Sequence, residues 1–281
     1  MSFLDDYKRQ PKLYIDLPSS GRFYDDTVFE DNQYVQMPVY AMTAADEIVS
    51  KTPDALFSGK AVALILQSCI PLLKDPWKLI KSDLEYLLTA IRIASSGNTI
   101  DMKSTCSVCK TENTVELDLQ SVLQHYDNFH PEASFTYKDL TINLQPITFK
   151  EMSELGIALY QRQRTVYQLQ RSDLSDEELQ KQAATIADEV VLMTSRSLTS
   201  YIASISKGDE FEKDMNKINN FIEGNDGEIS KMFLAEITKF VNLATFPPVK
   251  IQCAGDIDAE PCTNVYEIEY NGDFSSFFVK S

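Results

Sequence analysis

Positive charge is scarce in this chain: 26 Lys and Arg stand against 42 Asp and Glu, a formal net charge of −16 and a pI near 4.5. Such a surface repels polyanions, so nucleic acid and anionic membranes are excluded as general partners and proteins are favoured. Glycine is sparse too, with nine in 281 residues. No G-x-x-x-x-G-K-[ST], G-x-G-x-x-G or G-x-S-x-G pattern occurs, which removes phosphate-cradling loops, the nucleophile elbow and, with them, the usual small-molecule substrates. The two histidines, His125 and His130, sit in no constellation with a nucleophile and read as surface or satisfied polar groups. Long apolar runs are missing as well. Ala61 to Leu66 extends to Leu73 only through Gln67, Ser68 and Pro71, short of the roughly 20 residues a spanning helix needs. Met1 to Gln10 carries Asp5, Asp6, Lys8 and Arg9 and so lacks the apolar centre of a secretory signal; a soluble, intracellular protein is expected. Five cysteines, an odd number at low density, fit a reducing compartment better than a disulfide framework.

What remains is a chain with 43% hydrophobic residues, including 13 Tyr and 15 Phe, enough for one large or two modest domains. Leu17-Pro18-Ser19-Ser20-Gly21 reads as a turn before Phe23 and Tyr24, and residues 34–42 alternate as a short edge strand. Thr43 is placed as an N-cap, with Asp46 three residues on. Ala61 to Leu72 predicts a buried helix, and Leu84, Leu87, Leu88 and Ile91 predict another that starts at Asp83 and stops at Ser95-Ser96-Gly97. Phe135 to Leu144 reads as a strand pair turning at Lys138 and Asp139. Helical stripes follow: Met152, Leu155, Leu159, Val166 and Leu169; then Ala187, Val190, Val191, Thr194, Leu198, Tyr201, Ile202 and Ile205, after a helix start at Ser175-Asp176-Glu177-Glu178. Phe211, Met215, Ile218 and Ile222 form a third stripe, broken by Gly224-Asn225-Asp226-Gly227. Ile229, Phe233, Ile237, Phe240 and Val241 form a fourth, ended by Pro247-Pro248. Arg162, Arg164 and Arg171 make the one basic helix, and the pairs Asp25-Asp26 and Glu177-Glu178 lack the spacing of a calcium loop; all read as solvated or partner-facing charge.

The sharpest chemical signal is the C-x-x-C of Cys106 and Cys109, followed by the half-buried strand pattern of Val115, Leu117 and Leu119 against Glu116 and Asp118. Two thiolates at this spacing can turn round one tetrahedral Zn²⁺, and Cys253 and Cys262 are the available further donors, because Cys69 lies in the apolar helix. One structural zinc held by Cys106, Cys109, Cys253 and Cys262 is thus one reading; ordinary reduced cysteines and a redox or disulfide pair are the others. A thioredoxin-type role is weakened because the C-x-x-C precedes a strand rather than opening a helix. After Cys253 and Cys262, Tyr266, Ile268 and Tyr270 alternate with Glu267 and Glu269, and Asp273 to Phe278 parallels Asp118 to Leu123. Both stretches read as cysteines, an acidic-faced strand and an apolar turn of helix, an internal duplication. The wide gap from Cys253 to Cys262 is atypical of a compact knuckle.

The order of Cys106-Ser107-Val108-Cys109, the segment Val115 to Leu123, the strand Leu140 to Leu144 leading into Ile147-Thr148-Phe149, the helical middle and the second cysteine unit resembles a baseplate hub or hub-assembly protein family of T-even-type contractile-tailed phages. The resemblance spans about Cys106 to Phe278. The phrases Leu17 to Gly21, Met42 to Glu47 and Leu84 to Gly97 resemble those of longer relatives. It implies a non-enzymatic structural role in assembling the tail hub, with other hub and tape-measure proteins as partners. The host cytoplasm during assembly, and the virion tail, are the implied locations.

The resulting expectation is an α+β chain with a helix-rich body, small cysteine-containing β units and an extended N-terminal segment. It is divided into residues 1–103 and 104–281, the latter holding a helical middle (148–245) and a second cysteine unit (249–281). Alternatives to the hub reading are a zinc-ribbon adaptor of a cellular regulatory complex and a thiol oxidoreductase. Aromatic segments at Phe23-Tyr24 and Phe274 to Phe278 are candidate docking anchors or core. From Lys250 to Ser281, two basic residues face six acidic ones, an acidic surface that stays solvated or meets a basic protein.

Overall fold

The computed structural model describes residues 8–129, 133–169, 175–224, 227–257 and 260–270. The chain runs β1 (Leu13–Ile15), β2 (Met37–Val39), α1 (Ala44–Ser50), α2 (Pro53–Phe57), α3 (Lys60–Cys69), α4 (Lys81–Ser96), β3 (Thr99–Thr105), β4 (Glu112–Asp118) and α5 (Leu119–Asp127). It continues through β5 (Ala133–Tyr137), β6 (Leu140–Leu144), α6 (Phe149–Leu169), α7 (Asp176–Thr199), β7 (Ile202–Lys207), β8 (Glu210–Glu212), α8 (Met215–Glu223) and α9 (Gly227–Leu243). It closes with β9 (Val249–Gln252), β10 (Asp256–Ile257), β11 (Glu260–Pro261) and β12 (Val265–Ile268). The class is α+β, helix-rich with small antiparallel sheets, as the sequence predicts. No helix among the described residues is long and apolar enough to cross a membrane.

Two units emerge: one from Met1–Pro76, Ser82–Phe129 and Ala244–Ser281, the other from Trp77–Lys81 and His130–Leu243. The second unit therefore interrupts the first in sequence, and position 103 falls inside β3.

In the first unit, the turn at Leu17 to Gly21 needs positive φ at Ser20 and Gly21, and a Cβ at Gly21 would strike the Tyr34 ring. Tyr24, a candidate docking anchor or core residue, packs on Phe29 and Tyr34 and donates its hydroxyl to Asp83 at 2.6 Å. Strand β2 is shorter than the alternation suggested; it pairs with β1 and buries Met37 and Val39. Thr43 caps α1 through a full capping box with Asp46. Helices α3 and α4 bury more apolar side chains than any other elements of this unit, α3 ending at Cys69 ahead of Pro71 and α4 at Ser96 before Gly97. Cys69 is fully buried, which pushes its thiol up to about 12 and keeps it an inert core residue.

In the second unit, a four-stranded sheet runs in the order β5-β6-β7-β8. Two expectations are corrected here. Ile202 and Ile205 do not extend the helical stripe of α7: they lie in β7, opposite Leu144 and Ile142 of β6. A register shift at Asn143/Leu144 inserts one extra residue, so isoleucines three apart face partners two apart, and the bulge mimics a helical spacing. Phe211 likewise belongs to β8, behind a turn at Gly208 and Asp209, and is exposed; the third helix begins only at Met215, capped by Asp214. The helix start at Ser175 is as expected, Glu178 accepting from the Ser175 hydroxyl at 2.7 Å. Phe233 on α9 is buried against the rings of Phe135, Tyr137 and Phe221. Val191, Thr194 and Leu198 of the predicted stripe lie in α7, and Asn225 and Asp226 lie outside the described residues.

Candidate metal centre

Strands β3 and β4 form a seven-pair antiparallel hairpin whose tip is the C-x-x-C. The Cys106 amide donates to the Thr111 carbonyl at 2.9 Å and the Lys110 amide to the Cys106 carbonyl at 3.0 Å, closing a tight knuckle with Lys110 at φ 64°. Strand β3 was not predicted, although Ile100, Met102 and Ser104 alternate with the exposed Thr99, Asp101 and Lys103. A second hairpin, β9 with β12, carries the other cysteines. The Cys253 amide donates to Asn264 at 2.9 Å and the Cys262 amide to Gly255 at 2.7 Å. The atypical spacing is thereby explained: the residues between Cys253 and Cys262 fold back on themselves as the β10–β11 pair, so the two cysteines meet at its base.

The four sulfurs of Cys106, Cys109, Cys253 and Cys262 lie within 4.8 Å of one another, and three of the four residues are fully buried. The Cys109 and Cys253 sulfurs are 3.3 Å apart, well beyond the roughly 2.05 Å of a disulfide, and all four are free thiols. In a tetrahedral site with Zn–S bonds of about 2.3 Å the sulfurs sit about 3.8 Å apart, inside the observed spread.

The Gly255 amide donates to the Cys253 sulfur at 3.3 Å. Two side-chain amides then cross between the hairpins. Asn264 donates to the Cys106 sulfur at 3.3 Å, and Asn113 donates to the Cys253 sulfur at 3.5 Å. Asn113 also accepts the Ala254 amide at 2.8 Å and donates to the Tyr266 hydroxyl at 3.1 Å. A Cβ on Gly255 would lie 2.6 Å from Thr111 Cβ and 3.0 Å from Cys109 Sγ, so only glycine allows the second hairpin this close.

These donors tune the thiols. The Cys109 amide, with the Asn264 and Val108 donors, brings Cys106 down to about 6 against its burial. The Thr111 hydroxyl and amide lower Cys109. Cys262 also gains an amide, from Asn264, yet burial and the three neighbouring thiols prevail and push it up to about 11. Four sulfurs this close cannot all ionise unaided, and a dication is the group that would let them.

The remaining candidates go elsewhere. His125 is not in the cysteine cluster: its Nε2 is buried without a hydrogen-bond partner, and burial lowers its pKa against the opposing effect of the Thr245 main chain. Arg162 pairs with Glu189 on α7 at 3.1 Å, Asp25 accepts from the Thr27 amide, and Asp26 accepts from Asn32. His130, Arg171, Asp258 and Asp273 to Phe278, including the proposed second turn of helix, lie outside the described residues.

A model of the family described as T4 bacteriophage base plate protein matches residues 33–279. The chain belongs to that family. This baseplate protein thus has a structural role in the phage tail, and its C-x-x-C sits between two strands, not at the helix N-terminus that thiol oxidoreductases use. No curated protein and no solved structure matches the chain.

Proposed function

We propose that this baseplate protein acts in the central hub, as a non-enzymatic subunit or assembly factor that holds other hub or tape-measure proteins in an assembly-competent arrangement. The family match over residues 33–279 supports the baseplate role across both units, and the hub assignment rests on the resemblance of Cys106 to Phe278 to hub proteins. The surface of the second unit is consistent with it. Of the 21 residues of α6 only Phe149 is fully buried; the stripe of Met152, Leu155, Leu159, Val166 and Leu169 is half-buried, and Tyr160 and Tyr167 are about half exposed. Half-covered apolar stripes flanked by exposed tyrosines are what a protein-binding helix presents.

The protein would act in the host cytoplasm while tails are built, and whether it is retained is read from finished particles. Affinity capture of the tagged full chain from infected cells tests the proposal. Stoichiometric recovery of hub or tape-measure subunits is expected. Recovery of peripheral baseplate proteins alone would overturn the hub assignment while leaving the family membership intact.

A further inference from the structure

We propose that Cys106, Cys109, Cys253 and Cys262 bind one Zn²⁺ as a closed structural site that clasps the two hairpins of the first unit. The donor set is four thiols on a 4.8 Å cluster, the softness and geometry that select zinc among common divalent ions. All four coordination positions are filled by protein, so no vertex is left for substrate and the role is structural.

Two features separate this cluster from chance proximity of reduced cysteines. Both cysteine segments are held as tight backbone turns, the Lys110 amide donating to the Cys106 carbonyl at 3.0 Å and the Cys262 amide to the Gly255 carbonyl at 2.7 Å, and the Gly255 amide donates to the Cys253 sulfur at 3.3 Å. Such donors stabilise thiolate charge, the form in which cysteine ligates metal. The crossing asparagines are reciprocal: Asn113 of the first hairpin reaches Cys253 of the second, and Asn264 of the second reaches Cys106 of the first. Each hairpin therefore supplies two ligands and one outer-sphere donor to the other's ligand.

The position gives the metal a purpose. Cys109 and Cys253 are 144 residues apart, and the second unit occupies the chain between residues 130 and 243. A zinc ion would close that loop within the first unit and tie together the segments that flank the insertion. Long loops gain most from such closure, because they have the most chain entropy to lose. This inference is independent of the hub assignment, since it concerns folding of the first unit whatever the partner.

The test uses the full chain purified with reductant and without chelator. Elemental analysis should give about one zinc per chain. Stripping the metal should lower Tm by more than about 5 °C. Adding Co²⁺ to the stripped protein should produce the thiolate-to-metal charge-transfer band and intense d–d absorption of a tetrahedral four-sulfur site. Cys262→Ser should abolish that signature; because it could also fail to fold, Asn113→Ser serves beside it, keeping the four ligands and weakening Zn²⁺ affinity about 10–100-fold in chelator competition. Less than about a tenth of an equivalent of zinc, with no Co²⁺ spectrum, would overturn the proposal. So would stoichiometric iron, or a Cys109–Cys253 disulfide found by mass spectrometry in the protein purified with reductant.

Discussion

Asp83 offers the sharpest physical test of the first unit. Its carboxylate is fully buried at the start of α4 and accepts from the Ser19 amide, the Ser19 hydroxyl and the Tyr24 hydroxyl, so it pins the Leu17 to Gly21 turn to the helix core. Burial outweighs these three donors and raises the carboxyl from 3.8 to about 6. Because the folded state holds the proton more tightly than the unfolded chain, protonation stabilises the fold. Stability from this group is therefore gained as pH falls through 6 and is complete below 3.8. The full shift corresponds to about 3 kcal/mol, and roughly 1–2 kcal/mol of it is recovered by pH 5. Urea unfolding of the protein and of Asp83→Asn at pH 7.5 and pH 5 measures it. The difference between the two proteins cancels the other titrating groups, cysteines included. The wild type should gain roughly 1–2 kcal/mol on the variant between the two pH values. Parallel pH profiles, or a gain by the variant, would refute the account of a buried carboxylate whose desolvation exceeds its hydrogen bonds.

Two further perturbations follow from packing. Gly255→Ala forces a methyl into Thr111 and Cys109, so thermal unfolding should show a loss of about 1–3 kcal/mol, with weaker Zn²⁺ retention; an unchanged Tm would mean the hairpins do not approach this closely. Phe233→Ala empties the ring cluster of Phe135, Tyr137 and Phe221 and should cost the second unit about 3–5 kcal/mol, read as early exchange of amides in β5 to β8 while those of α3 and α4 keep their protection.

Local rules made much of the fold readable. Caps at Thr43 and Ser175, the break at Gly97, and the turn at Lys138 and Asp139 depend on a few adjacent residues, and each is where the pattern puts it, whereas α3 stops at Cys69, ahead of Pro71 and short of the predicted Leu72. The four clustered cysteines were nameable by elimination, since Cys106 and Cys109 form a knuckle motif and Cys69 lies in the apolar helix, which leaves Cys253 and Cys262. What could not be read depends on long-range pairing. Ile202 and Ile205 look helical until the bulge opposite Asn143 and Leu144 is known, and the wide Cys253 to Cys262 gap looks wrong until β10 pairs with β11. Asn113 and Asn264 carry no motif; only the meeting of residues 140 and 158 positions apart shows what they do. A weak signal was available at Gly255, one of nine glycines and the one two residues from a cysteine.

The acidic C-terminal hairpin sharpens the same point. Glu267 pairs across the strands with Lys250 at 3.9 Å, which places part of the charge excess within the hairpin rather than leaving it all for a partner. Both partners are exposed, so the pair adds little stability and the outward face stays available to a basic protein.

Loss of the gene product tests the proposed hub role of this baseplate protein. Cells infected with phage carrying a nonsense codon in this gene, examined by electron microscopy of tail intermediates, should yield baseplates that lack a completed hub and few infectious particles. Particles of normal tail structure and infectivity would contradict the account.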